Sequence, residues 1–190
     1  MSSTPWLVRH ARKTPGDRLL LAGFACADPS VAWQVEVESF VREQLFDWRF
    51  DPHARGQDPR LLLAFERRRN ALVGLAAHER TTLVAKNGRS FAATKLEVVA
   101  VALAWQGRTF AGGVRASDVV MSAAMSDVRA RVPRRAARVL ALVHEDNVRS
   151  LELCRRHGFV EELSRPVDLP RYRRLITRHD DRSPPPRRGR

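Results

Sequence analysis

Residues 91–113 read FAATKLEVVAVALAWQGRTFAGG. The part from Phe91 to Trp105 is long and apolar, which predicts a strand central in a sheet. Gln106, Gly107 and Arg108 then interrupt it, and small residues follow. A strand that turns into a helix aims free backbone N–H groups at whatever lies over the helix start, and small residues let an anion approach them. By itself the stretch has two readings, a phosphate-cradling turn or an ordinary strand–helix connection. It has neither the Gly-Lys-Ser/Thr of a P-loop nor the spacing of a dinucleotide fingerprint.

Outward from this strand the pattern is mixed. Upstream, residues 60–68 and 71–85 read as two strands joined by a tight turn at Arg69 and Asn70. An Asn-Gly turn signal follows at 87–88. Residues 31–48 carry Trp33, Val37, Phe40, Val41, Leu45 and Trp48 at helical spacing, with Ser30 as N-cap. Residues 18–27, RLLLAGFACA, suit a strand.

Downstream, Val114, Met121, Met125, Val128 and Val132 predict a helix stopped by Pro133. Residues 137–146 are a buried-type strand, and 147–158 a short helix between Asn147 and Gly158. The final strands fall near 159–167 and 171–179. This order implies an α/β (α+β) fold with helices on both faces of a mixed, mostly antiparallel sheet. The expected boundaries are a flexible basic N-terminus at 1–17, one domain at 18–178, and a disordered Pro/Arg-rich tail at 179–190.

Composition narrows the classes. The chain has 190 residues, 44% of them hydrophobic, enough for one real core. Its two cysteines lie far apart and no His/Cys cluster accompanies them, so no metal site is expected. The first residues lack an apolar leader core, and no apolar run is long enough to cross a bilayer. A cytoplasmic protein without membrane attachment is expected. The net charge of +13 suggests a polyanionic partner, or the arginine-rich composition that GC-rich coding produces.

A second stretch adds to the first. Residues 144–159 read HEDNVRSLELCRRHGF. The pair of stretches resembles the GNAT family of acyl-CoA-dependent N-acyltransferases. In that family a Gln/Arg-x-x-Gly-x-Gly/Ala turn holds the CoA pyrophosphate, and Gln106, Gly107, Arg108, Thr109, Phe110 and Ala111 match it. A later Asn-x-x-Ala/Ser-x-x-Leu/Phe-Tyr-x-x-x-Gly-Phe segment flanks the pantetheine arm, and Asn147, Ser150, Leu153, Gly158 and Phe159 match that. LLLAFERRRNALVGLAAHE (61–79) is similar to the family's strand pair before its central strand. Two positions depart: Thr109 replaces the usual glycine, and Cys154 stands where the family often has a tyrosine.

The resemblance implies a GNAT-like fold and an N-acetyltransferase that moves acetyl from acetyl-CoA to a primary amine. The acceptor could be a small molecule, a protein amine or an aminoacyl-tRNA. A homodimer is compatible. It also implies backbone contacts to pantetheine from Val101 and Leu103. Two other classes stay open: a GNAT-fold module that binds CoA without turnover, and a basic nucleic-acid-binding protein.

Amine attack on a thioester needs a proton acceptor. Glu97 stands where many members place that base, and Glu79 and His78 are rivals. Cys154 has three readings: an acid for the leaving thiolate, an acyl carrier, or a small buried apolar residue.

Overall fold

The computed structural model describes residues 5–84, 88–110, 113–131, 138–162 and 168–178. Seven strands form one sheet in the order β1-β2-β3-β4-β5-β7-β6. They are β1 (Trp6–His10), β2 (Arg60–Glu66), β3 (Ala71–Val84), β4 (Ser90–Val101), β5 (Arg138–His144), β6 (Val160–Glu161) and β7 (Tyr172–Arg178). Every neighbouring pair is antiparallel except β4–β5. The parallel step needs a crossover, which α4 (Ala116–Arg131) supplies. The fold class expected from sequence is the one observed.

Each face of the sheet has its own core. On one, α4 lays Val120, Met121, Ala124, Met125 and Val128 over Leu62, Ala76, Leu96 and Val139. The short helix α5 (Val148–Arg156) completes this layer with Leu151, Leu153 and Cys154. On the other, α1 (Pro15–Ala22), α2 (Ala32–Ser39) and α3 (Leu45–Phe50) cover Leu61, Leu63, Leu75, Ala77, Val98 and Ala100. The alternation of side chains along β2, β3 and β4 separates the two sets.

Four sequence expectations are corrected. Residues 18–27 are not a strand: Thr14 caps a helix by accepting from the Asp17 N–H, Pro15 opens it and Gly23 ends it. The N-terminal 17 residues are not loose where they are described. Arg9 forms a bidentate pair with buried Asp17 (2.7 and 2.6 Å), and β1 adds an edge strand to β2. The 31–48 helix is interrupted by a π-turn at Phe40–Gln44, and Ser30 bonds to Asp28 instead of capping it. The central strand stops at Val101, where Leu103–Trp105 winds into a 3-10 turn. The expected Asn87 turn signal, Pro133 stop and 179–190 tail lie outside the described residues.

Gly74 lies where β3 passes beneath α4. An added Cβ would sit 2.6 Å from the Ala100 carbonyl oxygen and 2.9 Å from Val120 Cγ2. Gly74→Ala should destabilise the fold by about 1–3 kcal/mol, read as a lower urea midpoint at unchanged slope.

Candidate functional site

The site begins with a misfit between β3 and β4. Their register runs Ala77↔Val98 and then His78↔Leu96, so Glu97 is an extra residue on β4. A β-bulge of this kind bends its strand. It also puts Glu97 on the same face as Lys95 and, across the pair, Glu79. The β4–β5 ladder ends at this level. It covers only Ala93–Leu96 against Arg138–Ala141, although β4 continues to Val101 and β5 to His144. The two strands part and leave a cleft.

The backbone phase in the cleft follows from one bond. The Ala102 N–H donates to the Val73 carbonyl at 2.9 Å. In an antiparallel ladder, bonded and non-bonded pairs alternate. Val98, Ala100 and Ala102 therefore bond to β3, while Val99 and Val101 turn their N–H and C=O groups toward the cleft. Gln106 takes up the Val101 carbonyl (3.1 Å) and the Cys26 carbonyl (2.8 Å) through its side-chain amide. The Val101 N–H remains turned into the gap. Leu103 lies past the strand end and gives its N–H to Ala25 (2.9 Å), so it does not extend the strand backbone along the cleft.

Beside the cleft are two carboxylates. Glu97 pairs with Lys95 at 2.8 Å and is largely buried. Glu79 faces Glu97 across the strand pair, with Trp48 of α3 beside it. Burial and then the charge of Glu97 push the Glu79 carboxyl above its ordinary value. Two carboxylates this close hold one proton between them more readily than either alone. His78, the third rival, points to the opposite face, where its Nε2 lies 3.0 Å from Asp127 of α4. Farther along the Glu97 face, the Trp33 ring stacks on His144 at 5.5 Å, and Tyr172 meets the same imidazole edge-on at 5.3 Å.

Cys154 is separated from this group. It is 3% exposed and belongs to the core beneath α4. Burial pushes its thiol up to about 11. The structure therefore favours the buried apolar reading over an acid or an acyl carrier. Asn147 caps α5 by accepting from the Ser150 N–H at 3.1 Å, so both residues set the helix start.

The turn after β4 has the features of an anion cradle. Gly107 takes φ +72°, which favours glycine. Thr109 and Arg115 face each other as a non-bonded pair, because Phe110 N donates to Val114 O and Ala116 N to Arg108 O. Their own N–H groups thus point outward from the turn, so Thr109 keeps its donor despite its β-branch. Arg108 and Arg115 form no ion pair with a described residue and bring positive charge. The outward N–H groups and these guanidinium groups suit a pyrophosphate. Ala111 lies outside the described residues. Among those described, no three His, Cys, Asp or Glu side chains are grouped to hold a metal ion.

The likeness to solved structures covers nearly the whole chain. A protein from Desulfovibrio desulfuricans, described as an acetyltransferase of the GNAT family, superposes with a TM-score of 0.61 at 17% identity, over 92% of this chain and 98% of that one. This chain has the GNAT fold. A spermidine N-acetyltransferase SpeG chimera from Vibrio cholerae and hSSAT gives 0.55 at 15% identity, over 92% and 96%. A mutant of the AtaT toxin, bound to acetyl-CoA and the C-terminus of the antitoxin AtaR, gives 0.57 at 10%, over 92% and 93%. No family model and no curated protein matches the chain. No helix among the described residues is long and apolar enough to cross a membrane.

Within this GNAT fold, Trp48 and Lys95 were not singled out from sequence. The signal was present in two charged residues, Lys95 and Glu97, two apart in an otherwise apolar strand. Two measurements check the site. Cys26 and Cys154, both buried with thiols raised to about 11, should resist iodoacetamide in the native protein and react only on unfolding. A carboxyl raised in the folded state binds more protons there than in the unfolded chain. Its stabilisation is therefore present at low pH and is lost as pH rises from the ordinary carboxyl range through the raised value. Glu79→Gln should flatten that decline in Tm as pH rises above the ordinary carboxyl range.

Proposed function

We propose that this protein is an acyl-CoA-dependent N-acyltransferase that moves acetyl from acetyl-CoA to a primary amine. The observation that carries the reading is the convergence at the bulge, where the β4–β5 cleft opens at the residue that supplies a buried carboxylate. Neighbours named as acetyltransferases, and one bound to acetyl-CoA, support the same reading.

Acetyl-CoA supplies an activated thioester. The turn at Gly107, Arg108 and Thr109, with Arg115, would hold its pyrophosphate. The Val101 N–H and the Val99 backbone would line the pantetheine arm. An amine attacks only when neutral, so its proton must go to a nearby base. Glu97 is that base in our reading. Glu79 stands beside it across the strand pair. Trp48 of α3 packs beside Glu79. Buried Cys154 donates nothing to the leaving thiolate. A thiol has an ordinary pKa near about 8.5, so the thiolate leaves with less need of an acid than an alkoxide would.

The Trp33–His144–Tyr172 cluster gives the acceptor an aromatic wall on the Glu97 face. Acetyl-CoA should raise Tm with the logarithm of its concentration above Kd, as linkage requires. Glu97→Gln should leave that rise intact while lowering kcat by about 100-fold or more on an accepted amine. A rise without turnover on any amine would leave only donor binding, and no rise would remove the reading.

A further inference from the structure

We propose that the end of the sheet beyond β4 is a docking surface for single-stranded nucleic acid. The inference concerns a different surface from the acceptor face and does not rest on acyl transfer. Three segments meet here: the start of β1, the β2–β3 turn and the β4–α4 connection. Their meeting is fixed by register, since Trp6 lies opposite Glu66 and Gly74 opposite Val101.

Arginines at this end lack carboxylate partners. Arg67, Arg68 and Arg69 form no ion pair with a described residue, and they lie beside the turn whose Arg108 and Arg115 are assigned above to pyrophosphate. The nearby Glu66 carboxylate accepts from the backbone N–H groups of Arg68 (2.9 Å) and Arg69 (2.8 Å), leaving their guanidinium groups in solvent. Asp118, at the start of α4, is taken up by Arg156 (3.0 Å) and His157 (3.2 Å). On β7, Arg173 meets Glu145 and Glu161, and Arg174 meets Glu162.

Aromatic rings lie among these arginines. Phe110 sits 5.3 Å from Trp6 and 5.5 Å from Trp105, and the Arg108 guanidinium lies 5.8 Å over Trp105. Arg67 Nε donates to the Trp6 carbonyl at 3.0 Å and joins the β2–β3 turn to the same group. All three rings are half-buried, and none belongs to a hydrophobic core cluster. Cations for phosphates beside ring faces for bases are what a single strand requires. An acidic protein would use the charge but not the rings. An acyl-CoA needs only the turn N–H groups with Arg108 and Arg115, and leaves Arg68 and Arg69 without a role.

The test is fluorescence anisotropy with a labelled oligouridylate of about 20 nucleotides, enough for one single-strand site. It is run on the full chain across a salt series with CoA present in excess. Binding should weaken steeply with salt. Arg68→Gln/Arg69→Gln should lower the log–log salt slope by about 1.4, two phosphate contacts at about 0.7 each, with Tm unchanged. Trp105→Ala should weaken binding by about tenfold or more. Oligothymidylate should bind comparably, because the surface is argued from phosphates and base faces rather than from sugar hydroxyls. Four results would overturn the proposal: no binding, an unchanged slope in the double variant, displacement by CoA, or equal binding of polyglutamate.

Discussion

One extra residue in β4 sets the geometry on which the site depends. Before Glu97, β4 is paired on both sides; after it, only on the β3 side. The bend brings three consequences together. The β5 side of the strand is released, Val99 and Val101 turn backbone groups into the gap, and a carboxylate stands where the gap begins. An unpaired strand edge inside a sheet would normally be costly, because its N–H and C=O groups lose their ladder. Here Gln106 satisfies the Val101 carbonyl, and the open side is left for a ligand that brings its own hydrogen-bonding groups.

The electrostatics divide along the sheet. One face holds Glu79, Glu97 and Lys95 close together, with Trp48 beside them. The opposite face ties His10, His78 and Arg131 to Asp127 at 3.0–3.2 Å. That second cluster binds the start of the chain to the end of α4. Burial, its largest influence, keeps the His78 imidazole below its ordinary pKa despite the adjacent carboxylate. Neighbouring residues on one strand thus play opposite parts, His78 in holding layers together and Glu79 at the cleft. Alternation along β3 separates them.

Much of the architecture was legible in the sequence, because it is written in periodicity. The strand pair at 60–85, the central strand, α4 and α5 all announced themselves by apolar spacing or by caps such as Asn147 and Gly158. The misreadings have local physical causes. RLLLAG looks like a strand if Thr14-Pro15 is overlooked as a helix start. Residues 6–10 look solvated until Arg9 finds Asp17, a partner that only the fold supplies. Of the candidate site, the residues were legible and their grouping was not. Glu97, Glu79 and His78 stood as equals until the bulge fixed which faces they share. Cys154 had three readings because spacing gives no measure of burial.

The short β4–β5 ladder has a mechanical consequence. β1 to β4 form one plate and β5, β7 and β6 another, and four residue pairs join them along the sheet. Side-chain packing beneath α4 and α5 on one face, and the Leu83, Ala93, Leu140 and Ile176 cluster on the other, make up the rest of the seam. Two plates with so brief a join can rock about it while each keeps its own hydrogen bonds. The strand chemistry that opens a slot for a ligand therefore also leaves that slot beside a join of only four residue pairs. Entry and departure along it require no strand to unpair.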